Sequence, residues 1–195
     1  MVSTPNWASV TYECVGDPNH IRQLHDALKY IDKRKTSILP NGFGKWWLGN
    51  LVTKLGGNWE DYPCRGEITS YSLENDTTLM IWQNTAWGEQ EGVRRIIEEK
   101  LPSIKVYFQE EEPGCSLFAT NSFEHFPERY LLDSYEEPLY FETIDEAAQC
   151  VSDIVGHPIE QSVEAIDQAL DDYLAEHEDN DTWYNFHKFI EDREC

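Results

Sequence analysis

Between Ala8 and Gln109 the hydrophobic period of this chain switches back and forth between the two-residue alternation of a strand and the three-to-four spacing of a helix. The order of those switches limits the fold more than any other feature. Ala8 to Val15 (ASVTYECV) alternates and is β-rich, which predicts a first strand. Asp17-Pro18 supplies a capping acid and a proline for a first helical turn, and Ile21, Leu24, Leu28 and Ile31 continue it as an amphipathic helix to about Asp32. Lys33 to Gly44, with Pro40, Gly42 and Gly44, reads as a loop. Trp46 to Leu55 reads as a short helix presenting Trp47, Leu51 and Leu55, stopped by Gly56-Gly57.

Glu67 to Leu73 and Thr77 to Trp82 flank Glu74-Asn75-Asp76 as a predicted hairpin. Val93, Ile96, Ile97 and Leu101 mark a helix stopped by Pro102, and Lys105 to Gln109 reads as a strand. Cys115 to Thr120 reads as a further strand, and Tyr130 to Asp133 and Tyr140-Phe141 as short additions. The resulting βαββαβ order, with one short helix inserted, predicts an α+β fold of ferredoxin-like plan: an antiparallel sheet with helices on one face. After Ile144 three helices are expected: Ile144 to Val155 ended by Gly156, a second from Pro158 bearing Ile159, Val163, Ile166, Leu170 and Leu174, and a third capped by Asp181 or Thr182 and containing Trp183, Phe186 and Ile190.

Charge divides the chain unevenly. Residues 135–195 carry 18 acids and two bases, a net of 2 − 18 = −16, while residues 1–134 carry 19 acids and 13 bases, a net of 13 − 19 = −6, which together give −22. The expected organisation is therefore a ferredoxin-like domain over residues 1–134 and an acidic helical extension over residues 135–195, packed on it. The acid excess excludes nucleic-acid backbones and anionic membranes as direct partners and favours a basic protein. Five scattered cysteines (Cys14, Cys64, Cys115, Cys150 and Cys195) without a CxxC pair read as reduced thiols, and Met1 to Trp7 does not resemble a leader, so a cytoplasmic location is expected.

Several short motifs add a resemblance. Pro5-Asn6-Trp7 precedes the first strand, Gly57-Asn58-Trp59 follows the short helix, and Asn84-Thr85-Ala86-Trp87 closes the hairpin. Leu101-Pro102-Ser103-Ile104 and Glu112-Pro113-Gly114 follow in order. Over roughly Pro5 to Asn121 this pattern resembles the YubB-type ferredoxin-like proteins of plasmids, phages and other mobile elements. Two positions depart from it: Ala8 stands where the family often has Cys, and Asn58-Trp59-Glu60-Asp61-Tyr62 replaces Asn-Trp-Gly-Thr-Lys-Trp-Asp. The resemblance implies the fold and a mobile-element origin, and it brings no activity with it.

No residue pattern points to a reaction, so no catalytic residue, cofactor or metal is assigned and a non-enzymatic protein is expected. His20 and His25 lie five apart, which is not the helical spacing of a zinc pair, and His157, His177 and His187 have no ligand spacing. Asn41-Gly42-Phe43-Gly44-Lys45 lacks the parts of a phosphate loop and reads as a flexible connector. Glu110-Glu111-Glu112 reads as a solvated turn rather than an acid–base pair, and Cys64 beside Arg65 is thin evidence for an activated thiol. Trp7, Trp59, Trp82 and Trp87 are expected to plug the sheet ends rather than to form a platform.

Two functions compete. In the first, Glu160, Glu164, Asp167 and Asp171 form a carboxylate row on the helix from Pro158 that binds a basic partner, such as a nucleic-acid-binding protein whose groove the row would occupy as a nucleic-acid mimic or anti-defence inhibitor. In the second, a groove between sheet and extension, lined by Trp59, Tyr62, Trp87 and Tyr107, binds or transforms a small molecule. The sheet edge also leaves pairing with a second copy open.

Overall fold

In the computed structural model, residues 6–177 and 182–192 are described. The opening Pro5 of the motif series and the residues before it, the Asp181 cap and the terminal Cys195 lie outside them. The chain is α+β and forms two compact units, residues 1–125 with 192–195, and residues 126–191. Tyr130 to Ser134, expected to close the first domain, thus belongs to the second.

In the first unit strand β1 (Trp7–Val15) is central. Ala8, Val10, Tyr12 and Cys14 are buried along it, as its alternation predicts. It pairs antiparallel with β3 (Thr78–Ala86), from Trp7 opposite Ala86 to Val15 opposite Thr78. On its other edge it pairs antiparallel with β4 (Lys105–Glu112), from Ser9 opposite Glu111 to Val15 opposite Lys105. Strand β2 (Gly66–Asn75) forms the hairpin with β3, and β5 (Leu117–Thr120) is added outside β4. Within the first unit the strand order is β2-β3-β1-β4-β5, which is not that of a simple four-stranded sheet.

Helix α1 (Pro18–Asp32) starts as the sequence dictates: the Asp17 carboxylate accepts from the Asn19 and His20 N–H groups at 2.9 and 3.1 Å, and Pro18 occupies the first turn. Its stripe Ile21, Leu24, Leu28 and Ile31 joins Val93, Ile96 and Ile97 of α3 (Glu91–Lys100) and the inward residues of the strands in one core. The short helix α2 (Leu48–Lys54) buries Leu48, Leu51 and Val52 in that core, and Gly56 stops it with φ +87°, a conformation that suits glycine.

The loop before α2 is not a free connector. Asn50, fully buried, accepts from the Ser37 hydroxyl and the Ile38 N–H, both at 2.8 Å, and donates to the Gly44 and Lys45 carbonyls at 3.1 and 2.9 Å. One amide thus satisfies four groups of a chain segment that has no ladder of its own. The triple glutamate is likewise no solvated turn: it ends β4, and Glu110 and Glu112 are buried.

The second unit is not all-helical. Its sheet runs β7-β6-β8, with β6 (Tyr130–Ser134) antiparallel to β7 (Leu139–Phe141) on one side and to β8 (Tyr184–Lys188) on the other. The expected third helix is therefore a strand. Its apolar residues satisfy both periods over so few positions, and pairing with β6, which buries Phe186 beneath Tyr130, decides between them. Helix α4 (Ile144–Val155) has a capping box between Thr143 and Glu146 and ends at Gly156, as predicted. Helix α5 (Val163–Glu176) begins five residues later than Pro158, because Ser162 caps it by accepting from the Ala165 N–H at 3.2 Å. Ala147, Ala148 and Val151 of α4 meet Ile166 and Leu170 of α5 and Phe186 in a separate core. Among the described residues no helix is long and apolar enough to cross a membrane.

Candidate functional site

The first unit carries an open cavity of about 1010 Å³ at the end of the sheet where β1 begins and β3 ends. Six aromatic residues from distant parts of the chain converge on it: Trp7 at the start of β1, Phe43 in the Asn50-pinned loop, Trp47 before α2, Trp59 in a one-turn helix, Tyr62 just after that helix, and Trp87 just past β3. Phe43 stacks on Trp47 with ring centres 4.7 Å apart, and Trp47 meets Trp59 edge to face at 5.2 Å. The Trp47 indole N–H donates to the Cys64 carbonyl at 3.0 Å, so the buried ring of this set is tied to the chain leading into β2.

The other rings are open to solvent. Trp7 and Phe43 are 53% exposed and Trp87 is 46% exposed, while Trp59 is half-buried. The expectation that the tryptophans plug the sheet ends is therefore corrected for Trp7 and Trp87. Trp87 also has φ +73°, a left-handed backbone that a bulky side chain adopts only when its surroundings impose it. Those surroundings are visible. The Trp87 N–H donates to the Asn6 carbonyl at 2.9 Å. Gln90, 6% exposed, accepts from the Arg65 N–H at 2.8 Å and donates to the Ala86 and Gly88 carbonyls at 3.1 and 3.0 Å. Gly66 permits a close approach on the opposite wall, since a Cβ there would lie 2.4 Å from the Asn84 carbonyl oxygen.

The loop that carries Trp87 continues into a buried polar cluster. Glu89 receives the Tyr12 hydroxyl and the Arg94 Nε–H, the latter at 3.3 Å, and its own N–H donates to Glu110 at 2.5 Å. Burial pushes the carboxyls of Glu89 and Glu110 above the usual range, the neighbouring carboxylate adding to the effect at Glu110, and burial likewise holds the Tyr12 hydroxyl protonated. Tyr12, Arg94 and Glu110 are each 8% exposed or less. At this depth the cluster braces the Trp87–Gln90 loop.

Comparison with protein-family models, curated proteins and solved structures returns no match. Of the four groove residues inferred from the sequence, Trp59, Tyr62 and Trp87 line the one cavity. Tyr107 does not. It lies on the face of β4 opposite Val106 and Phe108, stacked on His125 with ring centres 3.4 Å apart. The Tyr62 hydroxyl is anchored to Glu99 at 2.8 Å, which raises its pKa. Sequence reasoning missed Phe43, Trp47 and the supporting Gln90. The signal for the first was Phe43 flanked by Gly42 and Gly44, a large ring where a loop needs none; nothing local marks Gln90.

The carboxylate row is only partly a row. Glu164, Asp167 and Asp171 are exposed along α5, where partial burial and then the two neighbours hold the Asp167 carboxyl above its usual range. Glu160 lies in the non-helical stretch before Ser162, outside the helical spacing. Elsewhere in this unit a groove of about 1160 Å³ between β6, β7 and α4 is lined by carboxylates, including Glu128, Glu136, Glu137, Glu142, Asp145 and Asp153, and among the described residues by no Lys or Arg. Burial raises the pKa of the Cys64 thiol, the opposite of activation. Among the described residues no three His, Cys, Asp or Glu side chains are grouped to hold a metal ion.

Proposed function

We propose that this protein is a non-enzymatic binding module whose ligand enters the aromatic cavity of the first unit. The observation that carries the reading is Trp87, a bulky residue in a left-handed conformation that leaves its indole exposed on the cavity wall. Residues held in such strain cluster at functional sites. A cavity near 1010 Å³ with several aromatic faces lies at the upper end of the range of small-molecule sites. The run β4-β1-β3-β2 supports a ferredoxin-like body to which β5 is added, and the order of the short motifs supports kinship with the YubB-type proteins of mobile elements.

The test is a ligand-observed NMR screen of a small-molecule library against wild type and Trp87→Ala, with circular dichroism to verify folding. Hits that bind the wild type and lose about tenfold or more in the variant are expected, the loss that follows from removing a stacking face worth about 1–2 kcal/mol. Hits that bind both proteins equally would sink the reading.

A second reading concerns the acidic unit. The carboxylate-lined groove beside α4, together with Glu164, Asp167 and Asp171 on α5, supports an interaction surface for a basic protein.

A further inference from the structure

The cavity has a charge character that its aromatic content alone does not dictate. Three carboxylates, Glu60, Asp61 and Glu67, line it against one cation, Arg65, a formal balance of 1 − 3 = −2. All four are exposed, so their field acts in the cavity mouth rather than being consumed in the core. Among the described residues, the aromatic rings there also carry no cation of the chain's own. Elsewhere this chain places its own cations over rings: Lys45 over Trp46 at 4.9 Å, Lys54 over Tyr30 at 4.1 Å, and Arg94 over Phe108 at 5.4 Å. Among the described residues no such cation covers Trp7, Phe43, Trp59 or Trp87.

Exposed indoles that line one cavity together with carboxylates can attract an organic cation, the rings through their negative quadrupole and the acids through their charge. Taking the cavity as the ligand site, as proposed above, we infer that it receives an alkylated ammonium group. A quaternary ammonium suits it better than a metal ion or a primary amine. Its methyl groups bury against the rings at little desolvation cost, whereas a compact, strongly hydrated cation would need directed oxygen ligands. The carboxylates at the mouth add long-range attraction without demanding a hydrogen bond from the ligand. Arg65 opposes the ligand, so its removal must act with the opposite sign to that of the acids.

The experiment is a titration of intrinsic tryptophan fluorescence with choline and, in parallel, with the neutral alcohol in which carbon replaces the choline nitrogen. Choline is expected to give a saturable change, and the neutral alcohol to bind about tenfold more weakly. Glu67→Gln should weaken choline binding by about twofold to fivefold, and Arg65→Gln should strengthen it by a similar factor, with neither affecting the alcohol. Both positions are exposed, so folding is preserved. Equal affinity for choline and the alcohol would overturn the inference while leaving the cavity as a binding site. An absence of any saturable response to choline would overturn it as well, and the library screen against Trp87→Ala then decides separately whether the cavity binds anything.

Discussion

Single buried polar side chains do more to shape this protein than its many surface charges. Gln90 ties the chain entering β2 to the turn leaving β3, beside the backbone bond from the Ala86 N–H to the Arg65 carbonyl, and Glu110 receives the N–H of Glu89 from that same turn. The Glu110 carboxyl has a folded-state pKa raised mainly by burial, with the Glu89 and Asp192 charges acting in the same direction and Arg94 opposing them. A carboxyl whose pKa is raised on folding binds its proton more tightly in the native state. Stability from this group therefore falls as the pH rises from the unfolded carboxyl value towards and through the raised one, and is recovered on acidification. Glu110→Gln, which keeps an acceptor for the Glu89 N–H, is expected to flatten that fall and to be more stable than wild type near neutral pH. Urea denaturation at a series of pH values checks it, and an unchanged slope would show that the Glu89 N–H bond and Arg94 together offset the burial.

At the scale of elements, the Asn50-held loop is the part most exposed to a single change. Asn50→Ala leaves the Ser37 hydroxyl and the Ile38 N–H without their partner and releases Gly44 and Lys45 beside Phe43. A loss of roughly 2–4 kcal/mol is expected in chemical denaturation, with weaker ligand binding at the cavity even where the protein still folds. Strands and helices with clear periodicity were legible in advance: β1, the β2–β3 hairpin, α1 with its Asp17 cap, and α4 with Gly156 all stand where their residues place them. Elements chosen by tertiary contact were not. Residues 184–188 become a strand because β6 offers an edge, and Pro158 yields to Ser162 because the hydroxyl caps better than a proline starts. The cavity was half legible. Trp59, Tyr62 and Trp87 could be gathered as aromatic residues at turns, but alternation puts Tyr107 opposite Val106 and Phe108 without showing that His125 covers it there, and Phe43 could not be included without the bonds of Asn50.

For the whole molecule, the division of charge follows the division of cores. The second unit buries a small apolar core of Ala147, Val151, Ile166, Leu170 and Phe186 and turns its acids outward, some along α5 and more around the groove beside α4. If that surface takes a basic partner, the attraction must fade with salt, because exposed charges are screened within about 10 Å at 0.1 M. An oligolysine peptide is expected to bind the wild type at low ionic strength and to lose affinity when Glu160, Glu164, Asp167 and Asp171 are changed together to Gln and Asn. Since Glu160 lies off the helix, restoring it alone should recover little. Undiminished binding by the fourfold variant in calorimetry would remove α5 from the surface and leave the groove.

The backbone at Trp87 has a consequence for how such a chain can evolve. Glycine would occupy that φ freely, so the indole is kept against a conformational penalty on the order of 1–3 kcal/mol. A population selected for heat resistance alone would drift to glycine at position 87, gaining robustness and erasing a wall of the cavity. On the proposed reading, selection for ligand binding is what retains the tryptophan, and position 87 would then sort descendants that still bind from those that merely fold.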